Sequence, residues 1–367
     1  MPPLHTLYIA YPLLTVSDES AGGAEQVLWA LEHELAQRGV HTTVAASAGS
    51  RIAGELFATG DPCTQPDDYE RRNQEHQEAV IAFVRRQAHA GNAFDLVHDM
   101  SGSFWSRAAE LDAPVLATLH LPRSFYLPQY FQEIPANLSF NCVSHSQARS
   151  FSDLEGLVGV VPNGIVLDRF GPEHHANDNG NSSRQQGLLW LGRICEEKAP
   201  HLALEIAACA GLPITLAGQI YPFSYHQQYF KREVAPRLQQ MPNATFITSP
   251  TFEQKRKLLR EAEALLITSM ADETSSLVAM EAAASGTPVI AFRHGALPEV
   301  IRDGVTGFLA DNAVDASAAC QRIVSLNPAA CLQHARAAFS SAAMAAAYLH
   351  LYESVVQTQG VPRSIQV

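Results

Sequence analysis

The stretch Leu188-Leu189-Trp190-Leu191-Gly192-Arg193-Ile194-Cys195-Glu196-Glu197-Lys198 decides the fold. Four consecutive apolar residues suit a parallel strand covered on both faces. Gly192 ends the run, and the charged residues behind it lead into a segment, 201–210, that reads as a helix. Strand, loop and helix in this order make one repeat of a parallel α/β sheet, whose ligands bind at the carboxyl ends of the strands. Arg193 and Lys198 therefore fall at a strand end. A forked cation and a point cation there can neutralise a diphosphate. They also fit a solvated pair partly balanced by Glu196 and Glu197.

The alternation extends in both directions. Downstream, strands are predicted at 213–217, 245–248, 264–268, 289–292 and 308–310, with helices at 252–262 and 276–285 and an Ala-rich helical tail at 329–357. Upstream, strands are predicted at 7–10, 40–46, 94–98, 115–120 and 138–144. A helix over 24–38 places Val27, Leu28, Leu31 and Leu35 on one face, with Gly39 as its stop. The polar stretch 173–183 reads as a linker or exposed loop, and its adjacent His174 and His175 as solvated loop histidines. Residues 49–74 and 123–133 carry no readable pattern.

With 367 residues and about 150 per domain, two domains are expected. We place one domain at 1–170, a second at 171–340 and a separate terminal helix at 341–367. The fold class is α/β, with two Rossmann-like domains. Hydrophobic residues make up 47% and charged residues 17%, which excludes a disordered chain and a coiled coil. A net charge of −12 argues against nucleic acid as the main partner. Cys63, Cys142, Cys195, Cys209, Cys320 and Cys331 form no closely spaced pair, so we expect reduced thiols, no zinc framework and a cytoplasmic location. No apolar run is long enough to insert into a membrane.

Three motifs stand at loops beside the predicted strands. Gly22-Gly23-Ala24-Glu25 precedes the first helix, where free N–H groups suit a phosphate, although an ordinary flexible turn reads the same way. Glu273 and Glu281 flank Thr274-Ser275-Ser276-Leu277 at the start of a helix. They can accept from different hydroxyls of one polyol, or simply be surface glutamates. His98 and His120 end strands, where a lone histidine is more often structural. Dinucleotide, P-loop, triad-hydrolase and zinc-protease motifs are missing from the sequence.

Taken in order, these residues resemble a known family. Gly22-Gly23-Ala24-Glu25, Ser144-x-Ser146, Val161-Pro162-Asn163-Gly164, Gly192-Arg193 with Glu197-Lys198, Ala217-Gly218, Glu273-x7-Glu281, Gly286-Thr287-Pro288-Val289 and Gly304-x-x-Gly307-Phe308 are similar to the retaining glycosyltransferases of family 4, the group 1 glycosyl transferases. The resemblance implies two Rossmann-like domains facing across a cleft (GT-B), with the terminal helix crossing back to the first. It implies that Arg193 and Lys198 grip the donor diphosphate and that Glu273 contacts the donor sugar. Glu281 would hold the ribose, and the backbone near Ser275, Ser276 and Leu277 the distal phosphate and sugar. Gly22, Gly23 and Gly218 would approach the nucleotide, and His120 the reacting face.

Many members carry Phe-Gly where this chain has Ser275-Ser276, which bears on donor-sugar identity. The expected partners are a nucleotide-sugar donor, with uridine favoured by family frequency, and an acceptor hydroxyl. No cofactor is expected, and without a DxD motif no metal is required. The alternatives are a silent nucleotide-sugar-binding subunit and another GT-B chemistry such as epimerisation.

Overall fold

The first structural repeat follows from the apolar runs upstream of the linker. In chain order it comprises β1 (His5–Ile9), α1 (Gly23–Gln37), β2 (His41–Ala46), β3 (Glu55–Ala58), α2 (Tyr69–His89), β4 (Leu96–Asp99), β5 (Val115–Leu119), β6 (Leu138–Cys142), α3 (His145–Ser150) and β7 (Leu157–Val160). The strands pair in parallel in the order β3-β2-β1-β4-β5-β6-β7. Leu7, Ile9, Val97, Val115, Ala117 and Phe140 fill the core on one face of this sheet, with Val80, Ile81, Phe83 and Val84 from α2. The order reverses between β1 and β4, which makes their carboxyl ends the switch point of the sheet.

The second repeat comprises β8 (Leu188–Leu191), α4 (Pro200–Ala210), β9 (Ile214–Gly218), α5 (Ser224–Tyr229), α6 (Ala235–Gln240), β10 (Ala244–Thr248), α7 (Phe252–Glu261), β11 (Ala264–Ile267), α8 (Leu277–Ala284), β12 (Val289–Phe292), α9 (Leu297–Val300), β13 (Gly307–Ala310), α10 (Ala313–Cys320) and α11 (Pro328–Ala338). Its six parallel strands run β10-β9-β8-β11-β12-β13, so the switch point lies between β8 and β11. Apolar side chains pack on both faces of this sheet. That is why its strands read as unbroken apolar runs rather than alternating ones.

In this computed structural model, residues 4–20, 22–63, 65–171 and 187–359 are described. His174, His175 and the rest of 173–183 lie outside them. The chain divides into two compact units, one of Met1–Gly164 with Ser341–Val367 and one of Ile165–Ser340.

The expected helical tail is two helices. α11 stops at Ala338, and α12 (Ser341–Gln359) starts after a break at which Ser340 bridges Ile165. The break falls where the chain passes from the second unit to the first. Four of the labelled elements of the first unit were not predicted, namely β3, α2, α3 and β7. In the second unit, residues 224–240 form α5 and α6 with a π-helical turn between them.

Candidate functional site

The sequence-predicted residues fall at strand ends, in the loops after strands or in the helices that follow, and the second unit joins its residues most closely. The loop after β8 is tied down by its backbone. Gly192 N–H donates to Ala217 at 3.1 Å and Ile194 N–H to Gln219 at 3.0 Å. Gly218 serves this junction, since a Cβ there would stand 1.8 Å from the Gly192 carbonyl oxygen. The loop ends in Ala199, which is fully buried with φ of 45°, an unfavourable conformation for a residue with a side chain. Thr268, at the end of β11, compensates. Its Oγ1 bonds the Lys198 and Ala199 carbonyl oxygens at 3.1 and 2.9 Å, and accepts from Trp190 Nε1 at 3.1 Å.

These contacts deliver Lys198 to Glu273 across the switch point. Lys198 Nζ and Ser269 Oγ both donate to Glu273 Oε1. Oε2 takes no bond among the described residues. The Glu273 backbone is held too, because Ala296 N–H donates to its carbonyl oxygen at 2.6 Å. Gly295 permits that approach with φ of 56°, and a Cβ there would lie 2.2 Å from the Glu273 oxygen. Lys198 is one-third exposed at its side chain and Glu273 11% exposed, so the pair sits partly in water with one face open. Arg193, in the same loop, is exposed.

Ser276 caps α8 in extended conformation without a side-chain bond, which leaves the first-turn N–H groups to other acceptors. Leu277 is the first residue of that helix. Ser275 Oγ is buried without a partner among the described residues. Glu281 projects from the second turn and is almost fully buried, with Lys255 Nζ 2.5 Å from its Oε1. Lys255 in turn lies 5.4 Å from the Phe170 ring centre and 5.3 Å from that of Phe252.

The first unit holds Gly22, Gly23 and His120. Gly22 precedes α1 in extended conformation and Gly23 begins it. His120 is half-buried at the end of β5, and burial pulls its pKa down to about 4. His98 is structural. It is fully buried, with Nδ1 2.7 Å from Tyr352 Oη and Nε2 2.7 Å from Thr118 Oγ1. Thr118 donates to Asn141 at 2.8 Å, and its oxygen lies 3.1 Å from Tyr348 Oη. Tyr348 and Tyr352 both belong to α12, so this network anchors the terminal helix.

Sequence reasoning missed Thr268, Ser269, Lys255 and Gly295. Thr268-Ser269 directly after an apolar strand, and Gly295 three residues after another, were the available signals. Neither distinguishes a site from an ordinary loop without the fold.

Comparison with known proteins adds to this geometry. Residues 173–337 match the family model for glycosyl transferases group 1, and residues 21–169 match that for Glycosyltransferase Family 4. A D-inositol 3-phosphate glycosyltransferase of Mycobacterium sp. (strain KMS) is 33% identical over 158 residues, which are 42% of this chain and 36% of that protein. The chain thus spans about a third of the length of the curated relatives it matches.

Among solved structures, sucrose-phosphate synthase from Thermosynechococcus elongatus is similar with a TM-score of 0.76 at 20% identity, covering 96% of this chain and 99% of that one. Anabaena HepE, in complex with UDP-glucose, is similar with a TM-score of 0.72 at 15% identity, covering 96% and 100%. Two Rossmann-like units, the order of the motifs and both family matches lead to one conclusion: the chain belongs to the group 1 glycosyl transferases of the GT-B fold.

Proposed function

We propose that this chain is a retaining glycosyltransferase that moves a hexose from a nucleoside-diphosphate-sugar, with UDP as the nucleotide, to an acceptor hydroxyl. The observation that carries the reading is the Lys198–Glu273 pair at the β8/β11 switch point. The Glu273 oxygen that takes no bond can accept from a sugar hydroxyl while Lys198 faces a departing phosphate. As the bond between C1 and the phosphate oxygen breaks, positive charge grows at C1 and negative charge on the diphosphate. Lys198, Arg193 and the first-turn N–H groups of α8 stabilise that negative charge. The acceptor oxygen bonds C1 on the face the phosphate leaves, and its proton passes to the departing phosphate oxygen.

Ser275, Ser276 and Leu277 are assigned to the distal phosphate and sugar. Glu281 is assigned to the ribose, Gly218, Gly22 and Gly23 to the nucleotide diphosphate, and His120 to the sugar. The UDP assignment draws support from the UDP-glucose bound to the Anabaena protein. No described helix is long and apolar enough to cross a membrane, and we assign a cytoplasmic location. Residues 1–170 are assigned to the acceptor side and 171–340 to the donor.

Incubating the full chain with UDP-glucose, GDP and ADP analogues alongside, tests the reading through nucleotide release. Slow release of UDP from UDP-glucose is expected, faster with an acceptor and indifferent to Mg²⁺ and Mn²⁺. A trapped covalent glycosyl–carboxylate adduct would refute the front-face step. Activity lost in EDTA and restored by Mg²⁺ or Mn²⁺ would refute metal-independent transfer.

A further inference from the structure

The loop that carries Arg193 and Lys198 also carries Cys195 and Glu197, and α5 brings His226 to them. The Cys195 sulfur, a Glu197 carboxylate oxygen and a His226 ring nitrogen all lie within 4.8 Å of one another. Cys195 and His226 are fully buried. Neither ring nitrogen of His226 has a hydrogen-bond partner among the described residues. A neutral imidazole has one donor and one acceptor, and burying both unpaired is unfavourable, so this ring is a group waiting for a partner.

Aromatic rings wall the histidine in. The Tyr225 ring centre is 4.3 Å away, that of Phe223 5.6 Å and that of Tyr221 6.1 Å. The Cys195 thiol lies 3.5 Å from the Arg193 carbonyl oxygen, and the Glu197 carboxylate, the Lys198 backbone and the Arg193 side chain also interact with it.

From this cluster we propose a binding site for one zinc ion, with Cys195, Glu197 and His226 as its protein ligands. A thiolate, an imidazole and a carboxylate form a borderline-soft set that selects Zn²⁺ over Mg²⁺ and Mn²⁺, which prefer oxygen alone. Three protein ligands leave a fourth tetrahedral position for water. On binding, the Cys195 S–H bond breaks, the sulfur pair bonds the metal and the proton passes to solvent. Thiolate and carboxylate together neutralise the ion, and Arg193 stands as the neighbouring positive charge. The ion ties α5 to the loop between β8 and α4, which otherwise relies on backbone bonds and Thr268. The spacing hid this site, because Cys195 and Glu197 lie in one loop and His226 beyond the next strand. It takes no part in the transfer step proposed above.

The test uses the full chain, stripped with chelator and titrated with Co²⁺ and then Zn²⁺. About one cobalt per chain, with the visible bands of a tetrahedral cobalt thiolate, is expected, and Zn²⁺ should abolish the bands. Cys195→Ser should remove the thiolate bands. His226→Gln should weaken Zn²⁺ binding by at least about a hundredfold, since even outer ligands cost ten- to a hundredfold. Cys63→Ser and Cys209→Ser should change neither.

Zn²⁺ should raise the melting temperature of the stripped chain and not that of His226→Gln. Folding of each variant is checked by circular dichroism. If Cys195→Ser does not fold, His226→Gln decides alone. Absence of the bands in the native chain, or Zn²⁺ affinity equal in native and His226→Gln, overturns the site. Nucleotide release from UDP-glucose is scored separately, so either proposal can fail without the other.

Discussion

The two units have the same doubly wound plan and treat their switch points in opposite ways. In the second, the strand ends of β8 and β11 present an ion pair with one carboxylate oxygen left over and a third of the lysine side chain in water. In the first, β4 ends in His98 and Asp99, both fully buried and fully engaged. His98 bonds Thr118 and Tyr352, and Asp99 accepts from Ser101 and from the Trp105 N–H at 2.7 Å. A strand-end polar residue is therefore not a site by position alone. What distinguishes the second unit is charge kept near water with unused hydrogen-bonding capacity. The first unit spends the same positions on seating α12.

The largest effect that sharpens the contrast is on rate. Glu273→Gln keeps the shape but removes the charge that orients Lys198 and the acceptor for sugar hydroxyls. Lys198→Ala removes the cation at the leaving phosphate. Each should lower nucleotide release by about 10²–10³-fold while leaving the urea midpoint close to native, because the pair is partly exposed. Equal losses of rate and stability would make this pair structural, like its counterpart, and break the comparison.

The next effect belongs to the first unit and is read through pH. Burial holds His98 neutral, with its pKa lowered from 6.5 to about 3. A depressed histidine contributes stability above the unfolded pKa and loses it as pH falls, because only the unfolded chain takes up the proton. The loss begins near pH 6.5 and runs towards pH 3. At pH 5 it should amount to about 2 kcal/mol, 1.5 units at 1.36 kcal/mol each. Asp99 works the other way. Burial raises its pKa from 3.8 to about 6, so its protonation favours the folded chain as pH falls from 6 towards 3.8. Urea midpoints for native and His98→Asn chains at pH 7 and pH 5 separate the two. The histidine variant should lose less on acidification, and an identical loss would mean that His98 does not titrate in this way.

The sequence made the second unit legible because nearly every strand there is an apolar run bounded by Gly, Pro or charge. Residues 289–292 were placed to the residue. β3 could not be seen that way. Glu55–Ala58 is a largely exposed edge strand, and only its pairing with Thr43–Ala46 makes it a strand. α2 escaped for a related reason. Its N-terminal half buries Arg72 and His76 instead of apolar residues, and Arg72 donates from Nε to the Asp61 carbonyl at 3.0 Å and from Nη2 to Thr59 at 3.1 Å. The candidate site was legible as a set of residue types. Its joints were not, since Lys198 and Glu273 are 75 residues apart and the Thr268 and Ala296 contacts exist only once the sheet is built. His98 was legible as a strand-end histidine, but its partners come from α12, 254 residues away at Tyr352.

The smallest effect asks whether the second unit's site also depends on a buried scaffold. Thr268→Val keeps the shape of the side chain and deletes the hydroxyl that bonds the Lys198 and Ala199 carbonyls and the Trp190 indole. The Lys198 carbonyl and the Trp190 indole lose this partner, which costs about 1–3 kcal/mol, while the Ala199 carbonyl keeps the Leu202 N–H at 3.0 Å. Ala199 loses the bond that compensates its left-handed conformation. If the bond positions Lys198, nucleotide release should fall about tenfold at saturating donor, with the KM for UDP-glucose nearly unchanged. Donor binding then survives through Arg193 and the α8 N-terminus, and only the late charge on the phosphate goes unmatched. A fall in stability with an unchanged rate would assign Thr268 to the fold alone. The open charges of the second unit would then owe their geometry to the backbone bonds at Gly192 and Ile194, and not to the end of β11.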